Sequence, residues 1–221
     1  CEMDTIMKIA RRHGVRVIED ASHAHGTLYK GRMCGTIGDI GAMSLMSGKS
    51  LPIGEGVMIV ADDFELYERC VAWGHYTRTG VRSNYNPADK QVRSEDLSRF
   101  AGVAMGGAKN RINQMASAMG RVQLRHYPDR MREIQKAMNR FWDMLDGVPG
   151  MRAHRPGKES GSTKGGWYHP RGIYKPQELG GLSCERFCEA VRAEGVGCCH
   201  PGANFPLHTH PYFHEAALFG T

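Results

Sequence analysis

The sequence predicts an α/β fold with an open, largely parallel sheet, and three observations near its start predict it. Ile6, Met7, Ile9 and Ala10 recur with helical spacing within residues 4–13. His13-Gly14 closes that helix, glycine being the common residue just past a helix end. Val15, Val17 and Ile18 then form a short apolar run, suited to a buried parallel strand, that ends in the acidic pair Glu19-Asp20. This is the rhythm of open α/β sheets, whose ligands sit beyond the carboxyl ends of the strands.

The following segments continue the pattern. Residues 26–41 carry Gly26, Gly31, Gly35, Gly38 and Gly41 and read as a loop. A short strand is expected over 40–45, a loop of small residues holding Lys49 over 46–54, and a strand over 56–60 after the turn Gly54-Glu55-Gly56. Asp62-Asp63 offers an N-cap for a helix over about Phe64–Trp73. Residues 77–100 are polar and read as a long surface loop with one short helix near Glu95–Arg99, the kind of loop that often carries function.

Ile112 to about His126 has the small-residue face Ala116, Ala118, Gly120 and predicts a helix that Tyr127-Pro128 breaks. A second helix is expected from about Asp129 to Leu145, with Met131, Ile134, Met138, Phe141, Trp142 and Leu145 on its apolar side. The turn Gly147–Gly150 is the candidate boundary between a first domain, residues 1–148, and a second, residues 149–221. In the second, 151–166 reads as loop, Trp167–Tyr174 as a strand, and Ser183 as the N-cap of a helix ending near Glu194-Gly195. Val196–Cys199 reads as a strand and 200–211 as a loop rich in Pro and His. There is no internal repeat.

Composition narrows the function classes. The chain has 221 residues, 41% of them hydrophobic, ordinary for a globular protein. No window has the roughly 18 uninterrupted apolar residues of a membrane span. Seven cysteines are an odd number with no compact framework, which suits reduced thiols and a cytoplasmic protein. The net charge of +6 comes without a basic run or a nucleic-acid-binding signature. It suits a basic surface or the handling of phosphorylated small molecules. The start at Cys1 and the end at Thr221 suggest a piece of a longer protein.

The chemistry concentrates between Val15 and Val60. A pyridoxal-phosphate (PLP) site needs a lysine for the aldehyde, a carboxylate beside the pyridine nitrogen and an anchor for the phosphate. Asp20 at a strand end suits the carboxylate. An opposite charge within about 4–6 Å shifts a pKa by about 1–3 units toward the charged form. Glu19 is adjacent and must face the other way, because neighbouring strand residues alternate. Lys49 lies among Ser47, Gly48 and Ser50, where little bulk blocks a cofactor, and a free amine there can move a proton as base and then acid. Ser44 and Ser47 could each bind phosphate. Taken singly, each of these residues also has a plain surface or packing role, and His23 and His25 do too; the ordered combination points to the site.

That combination resembles the PLP-dependent aminotransferases typified by DegT and StrS, which act on sugars and aminocyclitols. The stretches IEDASHAHG, YKGRMCGTIGD and SLMSGKSLPIGEGV carry the resemblance, with Val57 in place of a final glycine. GGAKNRINQMASAMGRVQL and the C-terminal YKPQELGGLSCERFCEAVRAEGVGCCHPGANFPLHTHPYF extend it over essentially the whole chain. The resemblance implies a fold-type I PLP-dependent transferase fold. Its large domain has a mixed, mostly parallel sheet, its smaller C-terminal domain is α/β, and both are incomplete here. It implies that Lys49 is the Schiff-base lysine and that Asp20 pairs with the pyridine nitrogen. His23 then lies beside the ring, Ser44 binds the phosphate, and Lys109 reaches the phosphate of a dimer partner's site. It further implies a homodimer with shared active sites, a glutamate or glutamine donor, and a keto-sugar, often nucleotide-linked, or a keto-cyclitol as acceptor. The segment 200–211 would lie at the mouth of the site.

Three alternatives remain at this level. A branch of the family carries histidine in place of the lysine and removes a hydroxyl group as a dehydratase; Lys49 argues against it. A non-catalytic sensor of PLP or a sugar would not need the Lys49–Asp20 pair. A zinc-binding C-terminal module could draw on Cys184, Cys188, Cys198, Cys199, His200, His208, His210 and His214, although their spacing matches no common zinc pattern. No metal site is expected.

Overall fold

The computed structural model describes residues 1–74, 93–100, 105–202 and 206–214. The chain divides into two compact units, one of Cys1–Met144 with His154–Arg171 and one of Leu145–Ala153 with Gly172–Thr221. The sequence places one boundary at 148/149; in the structure the chain leaves the first unit at Met144, returns to it for His154–Arg171, and leaves again.

In the first unit, α1 (Met3–Arg12) has Asp4 in its first turn and Arg11 and Arg12 in its last, matching the helix dipole at both ends. Gly14, at φ 61°, ends it as expected. Strand β1 is Ile18–Asp20, so the acidic pair lies inside the strand. Just ahead of it, the Asp39 carboxylate accepts the Val17 N–H at 2.7 Å, and the Val17 carbonyl accepts the Asp39 N–H at 2.8 Å. β1 pairs in parallel with β4 (Ile40–Ser44), and β4 pairs antiparallel with β5 (Val57–Val60), giving a mixed sheet in the order β1-β4-β5.

The expected loop 26–41 contains a hairpin, β2 (Leu28–Tyr29) with β3 (Arg32–Met33). Its two turn residues, Lys30 and Gly31, both have positive φ, the geometry of a tight primed turn. Met3, Tyr29 and Ile37 form a small core here, with Met7, Val17 and Cys34 packed against it.

Asp63 caps α2 (Phe64–Gly74) by accepting the Glu65 N–H at 2.9 Å. Buried Glu68 accepts the N–H groups of Arg93 and Ser94 ahead of the short α3 (Glu95–Ser98). The remainder of the expected 77–100 loop, up to residue 92, lies outside the described residues.

Tyr127-Pro128 does not break the helix. One helix, α4, runs through Gln114–Met144 with Pro128 inside it. An interior proline costs about 3 kcal/mol. Burial of Ala116, Tyr127 and Trp142 along the same helix opposes that cost.

Trp167–Tyr174 is a strand only over β7 (Gly172–Tyr174), because Trp167 and His169 take positive φ. In the second unit β7 pairs antiparallel with β6 (Met151–Ala153), which the sequence reads as loop. Ser183 caps α5 (Cys184–Ala193) as expected, accepting the Arg186 N–H. Val196–Cys199 forms turns, not a strand, with the Cys199 carbonyl held by Arg192 at 2.7 Å. Among the described residues no helix is long and apolar enough to cross a membrane.

Candidate active site

Because β1 and β4 are parallel, with Asp20 beside Ala42, Asp20 and Ser44 emerge at the same edge of the sheet, beyond which ligands of such sheets bind. Strand alternation separates the acidic pair. Glu19 turns into the fold, where its carboxylate accepts the N–H groups of Gly35, Ile37 and Gly38 at 2.8, 2.6 and 2.6 Å. Asp20 faces the open edge and accepts the Ser22 N–H at 3.0 Å. Hydrogen bonds from the Ser22 side chain and amide hold its carboxyl below the usual range, and the charges of His23 and Lys49 add to this.

Lys49 is presented by a closed loop. The loop is fastened at its base by Leu45 N–H to the Gly56 carbonyl, 2.8 Å, and by Ile53 N–H to the Leu45 carbonyl, 2.9 Å. Leu45, Ile53 and Ala116 bury one another below it. At the tip, Lys49 N–H donates to the Met46 carbonyl at 2.9 Å. The Lys49 ammonium lies 4.5 Å from the centre of the Tyr168 ring, and the His23 ring lies 4.2 Å from that same ring at a tilt of 34°. Partial burial and the charge of Lys49 pull the His23 pKa down, opposed by Asp20. Ser44 joins through its backbone, its N–H donating to Ser22 Oγ at 3.3 Å, while its hydroxyl accepts the Met46 N–H at 3.4 Å.

The fold thus brings Asp20, His23, Ser44 and Lys49 together at one edge. Lys109 is exposed, in the segment 105–113 that leads into α4. Three residues were missed. Tyr168 comes from a segment that reads as strand, and its approach to Lys49 is a long-range contact that no local spacing announces. Ser50 and Tyr127 join buried His25 beneath the Lys49 loop. An amine, an ionised carboxylate, an imidazole and hydroxyl groups at one edge can capture a carbonyl, balance a cationic ring and hold an anion.

In the second unit, Cys199 Sγ lies 3.7 Å from Cys188 Sγ. Among the described residues, no three His, Cys, Asp or Glu side chains are placed to hold a metal ion. The zinc alternative therefore finds no ligand set there.

A family model described as the DegT/DnrJ/EryC1/StrS aminotransferase family matches residues 1–219. The spore coat polysaccharide biosynthesis protein SpsC of Bacillus subtilis is 27% identical over 97% of this chain and 52% of its own length. The L-glutamine:2-deoxy-scyllo-inosose aminotransferase of Micromonospora echinospora is 28% identical over 98% of this chain and 49% of its own. Among solved structures, the aminotransferase from Psychrobacter cryohalolentis superposes with a TM-score of 0.70 at 25% identity, over 99% of this chain and 55% of that one. The chain spans about half the length of the curated relatives it matches.

Proposed function

This chain belongs to the DegT/DnrJ/EryC1/StrS aminotransferase family, and from that membership we propose that it is the PLP-binding part of a sugar or cyclitol aminotransferase. The acceptor is a keto-sugar, often nucleotide-linked, or a keto-cyclitol; the donor is glutamate or glutamine. The enzyme works as a cytoplasmic homodimer with shared sites. The observation that carries the reading is the meeting of Lys49, His23 and Tyr168 beside Asp20 at the carboxyl edge of β1 and β4.

The residues present fit the cofactor. PLP offers an aldehyde, a basic ring nitrogen and a phosphate, and the edge offers an amine, a carboxylate held ionised and serine hydroxyls. When bound, PLP supplies an aldehyde that captures amines and a protonated ring that draws electrons from Cα. Asp20, kept ionised by Ser22, holds the proton on the ring nitrogen. Lys49, as a free amine, would be the base placed to take the proton from the donor's Cα. His23 flanks the ring, Ser44 anchors the phosphate, and Lys109 serves the phosphate of the partner subunit. Lysine rather than histidine at position 49 favours amine transfer over hydroxyl removal.

The test uses the full-length protein, loaded with PLP, reduced with borohydride and mapped by peptide mass. A label on Lys49 and loss of turnover in Lys49→Ala are expected. A label on another lysine, or substantial turnover in Lys49→Ala, overturns the reading.

A further inference from the structure

Buried His25 has no part in the chemistry above, yet both its ring nitrogens are engaged on either side of Lys49. Nε2 lies 2.8 Å from the Ser44 carbonyl, at the start of the lysine loop. Nδ1 lies 3.3 Å from Oγ of Ser50, the residue after Lys49. Ser50 Oγ is 3.0 Å from the Tyr127 hydroxyl, which donates to the His25 carbonyl at 3.0 Å. Gly166 closes the cluster from above. Its N–H donates to the same carbonyl at 3.2 Å, and a Cβ there would fall 2.5 Å from Ser50 Oγ and 2.8 Å from the tyrosine oxygen.

We infer that His25, through Ser44 and Ser50, is a positioning residue that fixes the reach of Lys49 toward Asp20. The inference rests on the reading of Lys49 and Asp20 as the amine and carboxylate of the cofactor site. A carbonyl can only accept, so Nε2 carries the imidazole hydrogen and donates to Ser44. Nδ1 is then an acceptor, and Ser50 donates to it. The ring bridges the two ends of the seven-residue span, 44–50, that holds the lysine. The same residue continues the short segment that begins at Asp20. One buried ring therefore couples the carboxylate's segment to the amine's loop, and Tyr127, donating to the His25 carbonyl, ties that segment to α4. Polar groups this well buried hold a geometry firmly when satisfied and cost stability when a partner is lost.

The experiment uses the full-length protein with His25→Leu, His25→Gln and Ser50→Ala. In the cofactor-free protein, Lys49 is reductively methylated and its rate compared by mass spectrometry with that of exposed Lys8. In the loaded enzyme, kcat and the donor KM are measured. A displacement of the amine by about 1 Å predicts a kcat loss of about ten- to a hundredfold with KM held within about threefold, and a Lys49:Lys8 labelling ratio changed by about fivefold or more. His25→Gln, which keeps a donor for the Ser44 carbonyl, should recover part of both. Should His25→Leu fail to fold, Ser50→Ala removes only the link beside Lys49 and is read in the same way. A labelling ratio within twofold of the parent in a folded His25→Leu or Ser50→Ala protein overturns the inference. Failure of the cofactor reading would show separately, as a borohydride label away from Lys49 in the unaltered protein.

Discussion

The Lys49 ammonium rests against the face of Tyr168, 4.5 Å from the ring centre, and the same ring packs on His23. A cation over an aromatic face is worth about 0.5–2 kcal/mol, enough to bias where an otherwise mobile lysine tip lies. With Lys49 methylated by carbon-13 formaldehyde, its methyl signal should be shifted upfield by the ring current. Tyr168→Phe keeps the aromatic face and should keep the shift; Tyr168→Leu should abolish it. An unshifted signal in the parent protein would remove Tyr168 from the site.

Asp20 and Ser22 set up a pH dependence. Ser22 gives its hydroxyl and amide to the carboxylate, which lowers the Asp20 pKa from its ordinary value. A carboxyl depressed in the folded state contributes stability above its unfolded pKa, about 3.9, and that contribution is lost as pH falls through the lower folded value. Asp20 is exposed, so the stability at stake is small. The titration itself is the better readout. Followed by carbon-13 NMR, the Asp20 carboxyl should titrate below the usual range and move up in Ser22→Ala. An unchanged titration in that variant would assign the depression to His23 and Lys49 instead.

Much of this site is legible in the sequence because its chemistry is local. Asp20, His23, Ser44 and Lys49 lie on two short segments, and strand alternation alone separates Glu19 from Asp20. The parallel pairing of β1 with β4 then brings the two segments together. Tyr168, Ser50 and Tyr127 were not legible, since each acts through a contact between distant parts of the chain. Tertiary packing also overrode two local signals. Pro128 sits within α4, although proline normally ends a helix. Trp167 and His169, although β-compatible in type, take positive φ and end the strand expected there. The Lys30-Gly31 hairpin was missed because lysine is a weak signal for a turn that usually favours Asn or Asp.

Cys188 should be inert. Burial first, and then Cys199 and Cys184 beside it, push its thiol up to about 12. That leaves very little thiolate near neutral pH, and the thiolate is the nucleophile. Iodoacetamide added to the native protein should modify exposed Cys1 and Cys198 while Cys188 stays unmodified until urea is added. Cys188 reacting natively as fast as Cys198 would mean that α5 does not bury it.

Glu19 carries a structural load that its neighbour does not. Its two oxygens collect three backbone N–H groups and so fold the 35–38 segment against β1. That segment passes so close to β4 that a Cβ on Gly41 would fall 1.9 Å from the Gly35 carbonyl oxygen. The close approach leaves little room for water to replace a missing carboxylate. Each partly buried donor left without a partner costs about 1–3 kcal/mol, and such costs do not simply add. Glu19→Ala should therefore lose about 2–4 kcal/mol in urea unfolding. Glu19→Gln should lose less, since its amide keeps one accepting oxygen but turns an NH2 group toward the other donors. Asp20→Ala, facing the open edge, should change stability by about 0.5 kcal/mol or less. If Glu19→Ala proved as stable as Asp20→Ala, the three hydrogen bonds would not hold the segment, and the split between a structural and a chemical acid on β1 would fall.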